Sequence, residues 1–414
     1  MRKSSVTSLI PLVVVIALSI AACGGEEKKG GGEGAQEAVK IGSIHPLTGP
    51  LAADGKQMDA AVKQAVEDIN AKGGIKALDG AKLEVESGDS QGKADIGQQE
   101  AQRMVDAKVA GIVGTFQSDV TTNVATVAAR SQVPLVIDVA VSDEILEQGN
   151  KFVFRIQPDA SSMGKFGAQY LKQVAEKSGE SIEKVAYLHD ESEFGSSVVK
   201  AFTAQAKSED LEVVKAIPYD PFGTQDFSTQ LAQVKAASPD AMVVTGYLPD
   251  GLTIAKNALS AEPPVKVVFG VANGAYSLPS FPEEAGKAGE LYFDSNYHFD
   301  AKKDRVNEIR DAFKEKSGEE MRTASILSYQ AVETIAAALE DASSSEPQAV
   351  RDALAKVSID DPLLTFSGPI EFDEKGQNKN AQPTVMQVQD GKVVQVLPEE
   401  FAEAEPELAT PWSK

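Results

Sequence analysis

From residue 39 onward, short runs of β-branched and apolar residues alternate with longer stretches in which apolar side chains recur every three or four positions. Val39 to Ile44 reads as a strand. Gly55 to Lys72 then places Met58, Val62, Val66 and Ile69 on one helical face and stops at Gly73-Gly74, a glycine exit. Lys82 to Glu86 predicts a second strand, Ala94 to Ala107 a second helix with Ile96, Met104 and Val105 inward, and Val109 to Val113 a third strand. The same rhythm predicts strands near 133–137, 184–188, 211–217, 241–245 and 265–269, with helices near 162–177, 196–208, 226–237 and 250–260 between them. Two helix-rich stretches, 302–316 and 323–341, precede late strands at Ile370 to Asp373 and Val385 to Gln389. Strands alternating with crossover helices predict an α/β fold with mostly parallel sheets. Their number exceeds what one doubly wound domain needs, so two similar lobes are expected.

The amino-terminal segment breaks this pattern. Arg2 and Lys3 precede an apolar run from Leu9 to about Ile20, and the small residues Ala21 and Ala22 lead to Cys23. The run falls short of the roughly 20 apolar residues that a bilayer-spanning helix needs, so a cleaved targeting segment over 1–22 is expected, with an uncleaved anchor as the alternative. Ile20-Ala21-Ala22-Cys23 resembles a bacterial lipobox, which implies cleavage before Cys23 and a diacylglyceryl group on its sulfur. Gly24 to Glu37 is almost devoid of apolar residues, which predicts a flexible tether over 23–38.

Composition narrows the functional classes. In 414 residues, 62 acidic against 40 basic side chains give a formal net charge of −22, a surface that repels phosphate backbones and argues against nucleic acid as a partner. One cysteine excludes an intrachain disulfide, and His45, His189 and His298 lie too far apart to place two metal ligands on one element, so neither metal nor cofactor is expected. No Gly-Xaa-Ser-Xaa-Gly elbow occurs. Gly49 to Lys56 lacks the spacing of a phosphate loop, and Gln57 stands where Ser or Thr would hold magnesium. No catalytic residues are expected, and a surface hydrolase is left without a specific pair of groups to carry it.

Ile41-Gly42 through Pro46-Leu47-Thr48-Gly49-Pro50-Leu51, followed by Glu67-Asp68-Ile69-Asn70-Ala71-Lys72-Gly73-Gly74-Ile75, resembles the opening of the branched-chain amino acid binding proteins of ABC importers, periplasmic binding proteins of type I fold. Further marks agree in order: Gly111-Ile112-Val113-Gly114 with Ser118, Val133-Pro134, Phe154-Arg155 with Gly164, Phe194-Gly195, Asp226-Phe227-Ser228, Gly246-Tyr247 with Pro249, Gly368 with Phe372-Asp373, and Asp390-Gly391-Lys392. The resemblance runs from about residue 39 to 398. It implies two Rossmann-like lobes joined by a three-strand hinge, with crossovers near Gln157, Gly289 and Phe366. The first lobe would take 39–157 and 290–366, the second 158–289 and 367–398, leaving a C-terminal tail over 399–414.

Ser118 stands between the strand ending at Val113 and a segment of helical period, Val120 to Ala129, where a hydroxyl meets a positive helix end. That pattern alone allows a helix cap or a carboxylate ligand; the resemblance implies the ligand. It also implies that Ala140 and Ser142, in Val139-Ala140-Val141-Ser142, hold carboxylate and ammonium, and that Phe194 closes over the solute where relatives carry Tyr. Tyr247, past the strand Ala241 to Thr245, matches a cleft Tyr, and open α/β sheets bind ligands at the carboxyl ends of their strands. Asn273, in Gly270-Val271-Ala272-Asn273-Gly274, stands where amino acid binders commonly carry the carboxylate that pairs with the ligand ammonium. A charged acceptor bonds an ammonium about twice as strongly as a neutral one. Asp54, Asp138 and Asp159 are candidate replacement acids.

The expectation is an extracytoplasmic, lipid-anchored solute-binding protein without enzymatic activity. It would capture a branched-chain or related amino acid by hinge closure as a monomer, present it to ABC permease subunits, and attach to the membrane through Cys23. The departures at Phe194 and Asn273 leave an amide, urea or a small aliphatic or aromatic carboxylate as alternative ligands, and a sensor as an alternative destination.

Overall fold

In the computed structural model, which describes residues 38–413, the apolar runs become the strands of two sheets. The targeting segment and Cys23 lie outside the described residues. The first sheet holds β1 (Val39–His45), β2 (Leu83–Asp89), β3 (Ile112–Gly114), β4 (Leu135–Ile137) and β5 (Val153–Arg155), all parallel, in the order β2-β1-β3-β4-β5. The second holds β6 (Lys184–Asp190), β7 (Glu212–Tyr219), β8 (Ala241–Gly246), β9 (Val267–Asn273), β10 (Phe293–Asn296), β11 (Thr384–Gln389) and β12 (Lys392–Leu397), in the order β12-β11-β10-β9-β8-β6-β7. Only β11 runs against the others, antiparallel to both β10 and β12. Strands β7-β6-β8-β9-β10 therefore repeat the winding of β2-β1-β3-β4-β5.

Helices cover both faces of each sheet. On the first sheet, α1 (Ala52–Ala71), α10 (Asp304–Ser317), α11 (Thr323–Ala342) and α12 (Pro347–Leu354) bury Met58, Ile309, Ile335 and Leu354 against one face. The other face receives Met104 of α2 (Ala94–Asp106), Val124 of α3 (Ser118–Ser131) and Leu146 of the short α4 (Glu144–Glu147). On the second sheet, α5 (Ala160–Lys177) and α6 (Glu193–Ala206) bring Leu171 and Phe202 to one face, and α7 (Ser228–Ala237), α8 (Leu248–Ala261) and α9 (Phe281–Ala285) bring Leu231, Ile254 and Phe281 to the other. Burial on both faces explains why β8 and β9 read as unbroken apolar runs. The edge strand β7 exposes much of its length.

The chain passes between the lobes three times, and two passages fall later than the sequence suggests. The first follows β5, and α5 begins at Ala160. The second comes after Asn296 rather than near Gly289, because Phe293 to Asn296 form β10 and pair with both β9 and β11. The third comes just before Thr384 rather than near Phe366: Ile370 and Ala381 are buried in the core of the first lobe, and the Asn378 amide donates to the Arg155 carbonyl at 2.9 Å. Residues 290–296 thus belong with the second lobe and 367–381 with the first. The strand expected at Ile370 to Asp373 is only a pair of isolated bridges, Ile359 to Ile370 and Phe372 to Asn378. The C-terminal segment packs on the second lobe, where Trp412 Nε1 donates to the Pro263 carbonyl at 3.1 Å and Gln387 Nε2 to the Glu407 carbonyl at 2.7 Å.

Candidate functional site

In both lobes the strand order reverses beside the first strand, between β1 and β3 and between β6 and β8. Loops leaving the carboxyl ends of strands part there and leave a crevice. A cavity of about 40 Å³ lies at that level, lined from both lobes. The first lobe contributes Phe116 and Ser118 after β3, and Val139 and Val141 after β4. The second contributes Phe194 at the start of α6, Gly246 and Tyr247 at the end of β8, Ala272 and Gly274 around the end of β9, and Asn296 and Tyr297 at the end of β10. None of these lining side chains is charged.

The aromatic residues set the shape of the wall. The Tyr247 ring lies 5.3 Å from Phe194, 5.8 Å from Phe222 and 5.8 Å from Phe116, the last contact reaching across the cleft. Polar contacts join the lobes beside it: Thr122 Oγ1 donates to Glu193 Oε1 at 3.1 Å, and Ser197 Oγ lies 3.5 Å from Ser142 Oγ. Tyr247 approaches the turn after β9 so closely that a Cβ on Gly274 would sit 3.0 Å from the Leu248 nitrogen, a tight fit that favours glycine there. Ala272 beside it adopts φ 52°, a left-handed backbone uncommon outside glycine.

Of the six residues that the resemblance singles out, Ser118, Phe194 and Tyr247 line the cavity; Ala140, Ser142 and Asn273 do not. Ser118 is the first residue of α3, and its hydroxyl accepts from the Ser142 amide at 3.2 Å, so it ties the helix start to the 139–142 loop instead of capping its own helix. The carbonyls of Ala140 and Ser142 accept from Nη1 of the buried Arg155, at 3.4 and 2.7 Å. Asn273 is fully buried, and its Oδ1 accepts from the amides of Ala275 at 2.9 Å and Tyr276 at 3.3 Å, building the turn behind the wall. Of the replacement acids, Asp54 is bound to Arg322 at 2.6 Å, Asp138 to His45 at 2.8 Å, and Asp159 caps α5 through the Ser162 amide at 2.7 Å.

The sequence does not single out Phe116, Val139, Val141, Gly246, Ala272, Gly274, Asn296 or Tyr297 as site residues. Each lies within a few residues of a strand's carboxyl end, a signal available for β3, β4, β8 and β9 but hidden for β10, whose sequence Phe293-Asp294-Ser295-Asn296 is mostly polar and forms no apolar run.

Burial decides the protonation of the groups around the site. It holds the hydroxyls of Tyr247 and Tyr297 well above their ordinary value, so both stay protonated. It pushes Asp190 up to about 6 despite bonds from Ser192, and Asp250 and Asp294 up to about 7 despite Tyr219 and Ser277. Ser43, His45 and Asp138 stand in series in the first lobe, with Ser43 Oγ 3.1 Å from His45 Nδ1. All three are fully buried, and Ser43 donates its proton to Asp59 at 2.8 Å, so this series is a structural network without the accessible hydroxyl that acyl transfer requires.

Known proteins agree with this geometry. A family model described as "Periplasmic binding protein" matches residues 38–392. The chain is 32% identical over 405 residues to a Leu/Ile/Val-binding protein homolog 7 of Brucella suis, covering 94% of this chain and 98% of the relative. The leucine binding protein LivK of Thermotoga maritima superposes with a TM-score of 0.74 at 25% identity, over 86% of this chain and 97% of that one. A solute binding protein of an R. palustris ABC transporter, solved with benzoate, gives a TM-score of 0.74 at 17% identity over 90% of this chain and 99% of that one, a likeness of fold alone. With two lobes, a shared cleft and a family match across nearly all described residues, the chain belongs to the periplasmic binding proteins of the branched-chain amino acid ABC transporter type.

Proposed function

We propose that this protein is the lipid-anchored solute-capturing component of an ABC importer, holding a small carboxylate with an apolar body, of the kind branched-chain amino acids represent, between its lobes. The observation that carries this reading is the cavity at the carboxyl ends of the strands, walled by Ser118 of the first lobe and by Phe194 and Tyr247 of the second. A solute seated on the first lobe gains the second wall only in the closed arrangement, so binding shifts the population toward closure, and the permease can discriminate loaded from empty protein. The Brucella relative carries a Leu/Ile/Val-binding name, which supports the solute class. Cys23 supplies the anchor and leaves the folded part tethered outside the cytoplasmic membrane; the mass of the mature protein tests this through the added diacylglyceryl group.

Small-angle scattering with and without saturating solute tests closure. The radius of gyration falls on binding if the lobes close on their ligand, and an unchanged radius together with measured binding excludes the hinge mechanism.

A further inference from the structure

We propose that Phe222, an aromatic residue outside the cavity, is a positioning residue for solute retention: packed on Tyr247, it holds that ring in the cavity wall and slows release of the solute. This rests on the reading of the cavity as the solute site and adds a residue that acts on the site from outside it.

The sequence builds the holder first. Asp220-Pro221-Phe222-Gly223, between β7 and α7, carries Asp, Pro and Gly where a type I turn favours them. Asp220 Oδ1 accepts from the amides of Phe222 and Gly223 at 3.0 Å each, and the Asp220 carbonyl accepts from the Thr224 amide at 3.0 Å. These bonds fix the backbone that presents the Phe222 ring. The side chain is 46% exposed, the one large apolar residue left so among the described residues. A single exposed apolar side chain is ordinary in a folded protein. Its placement here is specific: the ring stacks on Tyr247 at 5.8 Å with 22° between the planes, and Tyr247 is buried and lines the cavity.

Three aromatic rings meet Tyr247, and they differ in what they can do. Phe194 and Phe116, inclined to it at 52° and 46°, are themselves part of the cavity wall. Phe116 belongs to the first lobe and parts from Tyr247 when the lobes separate. Phe222 belongs to the second lobe, as Tyr247 does, and does not line the cavity, so it backs the ring in the open and the closed arrangement alike. The Tyr247 amide donates to Asp250 at 3.1 Å, which fixes the backbone; ring contacts and the Ser192 hydroxyl then decide where the side chain lies. Without Phe222 the ring is free to lean out of the wall, which opens a path for the solute to leave. The contribution of one aromatic pair corresponds to roughly a fivefold change in affinity.

Calorimetry and stopped-flow fluorescence on the purified mature protein test this, with leucine, isoleucine, valine and benzoate as probes. For the probe that binds best, Phe222→Ala is expected to bind about fivefold more weakly, with the loss in the dissociation rate and the association rate within about twofold of the parent. Phe222→Tyr, which keeps the ring, is expected to release the probe at the parent's rate. The melting temperature without probe is expected to stay unchanged in both, because the replaced side chain is half exposed. An unchanged dissociation rate in Phe222→Ala overturns the inference and leaves the solute site standing. So does a Phe222→Tyr variant that releases as fast as Phe222→Ala, or a loss carried by association, which would make Phe222 an encounter surface instead. A melting temperature lowered by several degrees in Phe222→Ala makes it a support of the fold and counts against the proposal. Binding of none of the four probes by the parent overturns the solute reading, and the inference with it.

Discussion

The two lobes share one winding but keep their buried acids in opposite ways. In the first, three have a basic partner, Asp54 with Arg322 at 2.6 Å, Asp59 with Lys63 at 2.6 Å and Asp138 with His45 at 2.8 Å, while Asp300 accepts from the Lys302 amide at 3.1 Å. In the second, Asp190, Asp250 and Asp294 receive only hydroxyls, amides and backbone N–H groups, from Ser192, Tyr219, Tyr247, Ser277, Asn273 and Asn296. A buried carboxylate without a cation favours its neutral form, and burial accordingly raises these three to about 6, 7 and 7. Raised folded-state values mean that the proton-linked stability is fully present below the unfolded value of 3.8 and drains away as pH rises through 6 to 7. His298, buried and held down to about 4, opposes this trend on the acid side, so single-site variants separate the contributions better than the parent's pH profile does.

Removing the guanidinium partner from a buried acid should make the first lobe behave like the second. Arg322→Met leaves Asp54 buried without its cation, which costs about 3–5 kcal/mol when the carboxylate must stay charged. At pH 8 the full loss is expected in urea unfolding, and at pH 5.5 a smaller one, because Asp54 already leans toward its neutral form through burial and takes a proton once Arg322 is gone. An equal loss at both pH values would mean that Arg322 acts through packing and not through charge.

The converse change relieves the second lobe. Asp250 Oδ2 accepts from the Tyr219 hydroxyl and the Tyr247 amide, while Oδ1 has no partner. Asp250→Asn keeps an acceptor for both donors and removes the charge. It is expected to raise stability at pH 8 by about 1–3 kcal/mol and to change little at pH 5.5, where the parent carboxyl is largely protonated. Thermal unfolding at the two pH values reads the difference, and a variant destabilised at pH 8 would show that the parent holds Asp250 ionised.

Much of this architecture is legible in the chain because burial on both faces writes the strands as apolar runs: Ala241 to Thr245 and the run from Val265 announce β8 and β9 without help from tertiary context. Shortness alone does not hide an element: β3 and β4, three residues each, sit in apolar runs, whereas Val153-Phe154-Arg155 ends on a charge and Phe293-Asp294-Ser295-Asn296 is mostly polar, and mislaying β10 moved the second crossover and hid Asn296 and Tyr297 from the site. The cleft residues split along the same line. Ser118, Phe194 and Tyr247 follow recognisable strand ends and line the cavity, whereas Asn273 occupies such an end but turns its amide inward to brace Ala275 and Tyr276, a choice made by the turn and not written in the residue type. Arg155 gives no sequence signal for its carbonyl contacts, because its partners lie 13 and 15 residues back.

The smallest effect tests whether a basic partner near the surface counts at all. Lys63 is about half exposed, at 52%, and sits four residues from Asp59 on α1. Burial would raise the Asp59 carboxyl, but bonds from Lys63, Ser87 and Ser43 outweigh it and hold it below its usual value. In Lys63→Met both serine donors remain, at 2.8 Å each, so the carboxylate keeps two of its three side-chain bonds. An exposed ammonium contributes under about 1 kcal/mol, and that is the expected loss in urea at pH 7. Because the carboxyl is depressed in the folded state, its stabilising share is present above 3.8 and disappears as pH falls through the folded value, so variant and parent should converge in acid. A loss at pH 7 as large as that of Arg322→Met would erase the distinction between deep and shallow pairs, and the contrast between the lobes would then rest on the presence of a cation alone, whatever its depth.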